Sequence, residues 1–197
     1  MKTKTAGLLL LAAIGAAACR DYSKDPTSPA YSAVGLPADA VRGGTRTGFG
    51  FNGTVSGFPT GKVFLSGGGS FDAATASNII PNPTDAKSGG GFSCLEAVDQ
   101  GPLTGCATGQ GVRWDTAQLL ASTGFKCTGS DAKKTAVTGP GTVVLLADFY
   151  RAGDGNDESF TAQMIVSDSD LAPEIPGDQT LWIQGVGCGT AVVNFSR

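Results

Sequence analysis

The chain has 197 residues, among them 30 glycines, five cysteines and no histidine, and its 17 acidic side chains outnumber 14 basic ones for a net charge of −3. Without an imidazole, the Ser-His-Asp and Cys-His mechanisms are excluded, because both pass a proton through histidine near neutral pH. An acidic chain with no Lys/Arg cluster beyond its first residues also lacks the footprint for a phosphate backbone, so no nucleic acid partner is expected.

The chain opens MKTKTAGLLLLAAIGAAAC: Lys2 and Lys4 make a basic start, Leu8 to Ala18 an apolar stretch, and Ala16-Ala17-Ala18 lead into Cys19. The apolar run is shorter than the about 20 residues of a permanent membrane helix, and its small residues suit a signal peptidase. This segment resembles the signal peptides of bacterial lipoproteins, and the resemblance is confined to residues 1–19. It implies removal of residues 1–18, a diacylglycerol thioether on Cys19 and acylation of the new amino terminus, so that the protein meets the membrane through an N-terminal lipid. Arg20 stands where Asp retains many such proteins at the inner membrane, which implies an outer-membrane or cell-surface location. Ordinary cleavage after Ala-x-Ala is the alternative, and it leaves a periplasmic or secreted protein.

Residues 19–46 are rich in Pro, Ser, Ala and Asp, with Asp25-Pro26, Ser28-Pro29 and Leu36-Pro37 breaking any helix or ladder, and read as a flexible tether. Residues 47–197 read as a single β-rich domain. Phe49, Phe51 and Val55, then Lys62 to Leu65, are expected in strands, with Gly67-Gly68-Gly69 a turn or bulge. Ser77 to Gly91 reads as a long surface loop, and Val112 to Leu120 is ambiguous between a strand and a short helix capped by Asp115. The clearest signal is a β-hairpin of Thr142–Arg151 and Ser159–Ser167, with Phe160, Ala162, Met164 and Val166 sharing one face at period two. Strands at Thr180–Val186 and Thr190–Phe195, broken at residues 187–189, complete the set. The fold class is therefore all-β: an antiparallel β-sandwich or jelly-roll-like barrel of about seven to nine short strands.

With Cys19 assigned to lipid, Cys94, Cys106, Cys127 and Cys188 remain, an even number that reads as two disulfides in an exported chain. Three pairings exist; Cys94 with Cys106 across a turn-rich segment, and Cys127 with Cys188, is the favoured one. No Cys-x-x-Cys pair or histidine supports a zinc cage.

No nucleophile elbow, P-loop or dinucleotide fingerprint is present. Glycoside hydrolysis needs only two carboxylates, for which Glu96, Asp99, Asp115 and Asp148 are the candidates, led by Asp115 beside Trp114 and Asp148 within an apolar run. Asp154, Asn156 and Glu158 place oxygen ligands at alternate positions, as a calcium loop begins, but Ser159 and Ile165 stand where an EF-hand needs Gly and Glu. Only a looser calcium site, completed from Asp168, Asp170 and Glu174, remains open, beside plain turn chemistry. Trp114 and Trp182 read as core. No cofactor is required, and the function expected is an exported, lipid-anchored binding or structural module with an envelope or surface partner and no catalysis. A carbohydrate-active hydrolase and a calcium-stabilised adhesion module are the alternatives.

Overall fold

A computed structural model describes residues 46–57, 60–79, 86–151 and 158–196. The described residues contain ten strands: β1 (Thr47–Ser56), β2 (Lys62–Phe71), β3 (Ala86–Glu96), β4 (Arg113–Leu120), β5 (Ser122–Phe125), β6 (Lys134–Val137), β7 (Thr142–Arg151), β8 (Glu158–Ser167), β9 (Leu181–Ile183) and β10 (Gly187–Ser196). Eight close into an antiparallel barrel in the order β1-β10-β9-β8-β7-β4-β3-β2, while β5 and β6 form a separate two-stranded sheet. Each barrel strand lies beside its chain neighbour, with β5–β6 an excursion between β4 and β7. The barrel is thus an up-and-down meander, without the crossing connections of a jelly roll.

Strand alternation sends one set of side chains into the barrel, and register stacks them in layers. One layer runs Val193, Phe51, Gly67, Gly90, Trp114, Phe149 and Phe160 through successive paired positions. Trp114 is completely buried, and its indole N–H donates to the Ser66 carbonyl at 3.0 Å. Gly67 makes room for that ring, while Gly90 leaves space for the backbone of Ser66 and Gly67 beside it. A Cβ on Gly67 would stand 2.8 Å from the indole and 2.9 Å from the Gly90 Cα, and its φ of +152° is itself one that other residues rarely adopt. Above this layer Phe49, Phe71 and Phe195 pack edge-on and stacked at 5.9 to 6.4 Å between centroids.

These contacts correct two expectations. Gly67-Gly68-Gly69 is strand interior rather than a turn, and the supposed loop through Gly91 is strand β3 from Ala86 onward, paired Gly68 to Gly89 and Gly67 to Gly90. Glycine here serves close approach to a tryptophan, which composition alone cannot tell from turn chemistry. The ambiguous stretch is strand β4 from Arg113, so Asp115 caps no helix. Residues 187–189 begin β10 rather than break it, because β9 is only three residues long and the turn falls at 184–186.

Both ends of the barrel are covered. At one, the connection between β3 and β4 sends Val98, Leu103 and Cys106 into the core, fastened by the Cys94–Cys106 disulfide and by Arg151 donating to the Gly105 carbonyl at 2.9 Å. At the other, residues 72–79 cross above Phe71. Gln118 donates to the carbonyls of Ser77 and Ile79, and Asn78 accepts from the backbone of Ala121 and Ser122.

A second apolar core lies outside the barrel. Leu120, Val144, Ile165 and Trp182 project outward, and Phe125, Cys127, Ala136 and Ala172 from the β5–β6 sheet and the segment after β8 cover them. The Cys127–Cys188 disulfide ties this cover to β10. Both bonds match the favoured pairing, and they belong to an oxidising, extracytoplasmic environment.

Candidate functional site

The four carboxylates singled out from the sequence fall in two places. Glu96 ends β3 and Asp99 follows it, both exposed near the plugged end. Asp115 and Asp148 are directly opposed partners of β4 and β7, on the outward face because Trp114 and Phe149 beside them point inward. Side chains so placed have Cβ atoms about 5 Å apart. The Arg113 guanidinium lies 4.3 Å from the Tyr150 ring centre, and its Nε is 3.4 Å from Asp115 Oδ2. Asp148 Oδ1 accepts from the Thr161 hydroxyl at 2.9 Å. The same register row continues through Gly89, Gly68 and Gly50 to Asn194, so the pair stands at the edge of a belt without side chains. The pair sits on the convex outer wall with the Asp115 side chain 52% exposed, whereas glycoside hydrolysis works between walls that hold the sugar.

The looser calcium site is differently placed. Asp154 and Asn156 lie outside the described residues, as does the side chain of Glu158. Glu158 opens β8 and Ser167 closes it, so Asp168 and Asp170 follow the far end of a ten-residue strand, about 30 Å away at ~3.3 Å per residue. Their oxygens serve the loop: Asp170 Oδ1 accepts from the amides of Ala172 and Gln179, and Asp168 Oδ1 from Ser169. Glu174 is engaged by Lys134 and Ser130, which hold its carboxyl at about 2, below its ordinary 4.5; Lys134 is the larger cause. Lys134 also donates to the Leu171 carbonyl at 3.1 Å, so this cluster locks β6 to the segment after β8. Among the described residues, no group of three or more His, Cys, Asp or Glu side chains is placed to hold a metal ion.

Sequence reading passed over a third place. Trp182, placed outward by the alternation of β9, donates its indole N–H to the Lys126 carbonyl at 3.2 Å and packs 6.0 Å from Phe125. Beside these rings an open groove of about 650 Å³ runs between residues 124–131 and the β9–β10 turn, with Lys126, Lys133 and Asp131 on its lining. The volume suits a small molecule or a few residues of peptide. The one available signal was Trp182 flanked by Leu181 and Ile183: three consecutive apolar residues in a strand mean that both faces are covered, hence that something packs outside the barrel. No family model, no curated protein and no solved structure matches this chain.

Proposed function

We propose that the chain is an exported, lipid-anchored β-barrel of the bacterial cell envelope, serving as a binding or structural module without catalysis of its own. One observation carries this. Four of the five cysteines pair with one another inside the domain, which leaves Cys19, at the end of a leader of lipoprotein type, as the one thiol with no cysteine partner in the chain. The packed barrel interior supports the second half of the proposal, since a ligand or partner must then be met on the outer wall. An outer-membrane or cell-surface position follows from Arg20 by the same resemblance. Labelling with radioactive palmitate in a bacterial host, followed by fractionation, tests it: the wild-type chain is expected in the membrane fraction with label, and Cys19→Ala in the soluble fraction without it. A wild-type chain that is soluble and unlabelled would refute the anchor.

The hydrolase reading keeps one observation of its own, the cross-strand opposition of Asp115 and Asp148. It requires turnover on some glycan that Asp115→Asn and Asp148→Asn each abolish, and a broad glycan panel without turnover removes it.

A further inference from the structure

The groove beside Trp182 has a definite chemical character. Its floor is apolar, formed by the nearly buried faces of Phe125, Trp182 and Val186. Its charge is mainly positive, although the chain as a whole is acidic. Lys126 and Lys133 line it, and among the described residues neither has an acidic group within ion-pair distance, whereas neighbouring Lys134 is taken by Glu174. The end of the Lys133 side chain lies over Gly124. A Cβ there would stand 3.2 Å from Lys133 Cε and 3.9 Å from its Nζ, so the ammonium lies across bare backbone. Among the described residues, Asp131 is the single carboxylate on the lining.

Two further features bear on the form of the ligand. Strand β5, which supplies Gly124 and Phe125, pairs with β6 on one side and, among the described residues, with no strand on the other, although Asn78 already takes the Ser122 amide and Trp182 the Lys126 carbonyl, so the open stretch is short and centred on Gly124. An unpaired strand edge is where an extended chain adds by main-chain hydrogen bonds. The groove is also pre-formed, because Cys127 on one wall is bonded to Cys188, directly after Gly187 on the other. Little ordering is then needed on binding.

We propose that this groove binds an extended peptide segment bearing carboxylate side chains, laid along β5, with its acids on Lys126 and Lys133 and an apolar residue over Trp182. This rests on the domain being a binding module and names the class of its ligand. The probe is a capped octapeptide alternating Glu and Val, titrated into the purified full-length chain by calorimetry beside the Lys/Val and Gln/Val versions. The Glu peptide is expected to bind, more weakly as salt rises, and the Lys peptide not to bind. Lys126→Glu with Lys133→Glu should weaken the Glu peptide by at least about tenfold. Lys62→Glu with Lys87→Glu, on the outer faces of β2 and β3, should leave it unchanged. The ligand class is overturned if the Glu peptide does not bind, if the Gln peptide binds equally well, or if the groove variant binds like wild type. Sedimentation as a dimer that the groove variant dissociates would assign the groove to a second copy and overturn it equally. None of these results touches the palmitate experiment, so failure of the ligand class and failure of the anchored-module reading are separable.

Discussion

The barrel wall formed by β7, β8 and β9 and the wall formed by β1, β2 and β3 bury the same kind of inner face and treat their outer faces in opposite ways. On the first, Val144, Ile165 and Trp182 point outward and are covered by the β5–β6 sheet. On the second, the outward row is Gly50, Gly68 and Gly89, and no segment among the described residues covers it. A strand covered on both sides needs apolar residues at every position, as Val143 to Ala147 show, while a strand bare on one side is free to drop its outward side chains. In this chain the bare wall has gone further and dropped inward side chains as well. Gly67 lies against a tryptophan supplied by β4, and Gly90 is that tryptophan's register partner and leaves space for the β2 backbone.

Removing that tryptophan should break the bare wall most severely. Trp114→Ala leaves glycine backbone facing a void and is expected to cost about 3–5 kcal/mol, melting both cores together in a denaturant titration. Substituting the disulfides comes next and separates the walls. The Cys127–Cys188 bond closes a loop of 61 residues and the Cys94–Cys106 bond one of 12, so chain entropy alone gives about 4 kcal/mol for the first and about 3 kcal/mol for the second. Paired Cys→Ala variants compared by chemical denaturation should keep that order, with early hydrogen exchange confined to the cover in the first and to the barrel plug in the second.

Acid should loosen the covered wall through Glu174. The Glu174 carboxyl is lowered in the folded protein to about 2, so its contribution is complete above its ordinary 4.5 and is lost as pH falls toward 2. Protection of the β6 amides, taken relative to the intrinsic exchange rate at each pH, should fall across that interval, and Glu174→Gln should remove that part of the fall. The smallest effect belongs to the carboxylate pair beside the bare belt. Like charges directly opposed across two strands repel, so Asp148→Asn, which leaves the Arg113–Asp115 pair intact and keeps an oxygen for Thr161, should raise the melting stability by about 0.2–1 kcal/mol, less in high salt.

The same contrast explains what could be read from the residues alone. The inward face of β8 and the hairpin with β7 were legible because Phe160, Ala162, Met164 and Val166 share one face while Thr161 and Gln163 point the other way. The cysteine pairing was legible because the pairs bracket a turn-rich segment and the last strands. The bare wall was not legible: Gly67 to Gly69 and Gly89 to Gly91 carry no alternation, and their role depends on Trp114, which is distant in sequence. The opposition of Asp115 and Asp148 depends on the register of two strands separated by the β5–β6 excursion. The groove depends on a tertiary contact between that excursion and the β9–β10 turn, and no local pattern announces either lysine.

The central claim is an envelope protein anchored at Cys19 whose other four cysteines are all bonded. It is tested most directly by the intact mass of the chain expressed with its own leader, before and after reduction and thiol alkylation. The expected result is a chain beginning at Cys19, carrying a diacylglyceryl and an acyl group, that takes up four labels only after reduction. A lipid-free chain would contradict the anchor, and four labels without reduction would contradict the disulfide-bonded barrel.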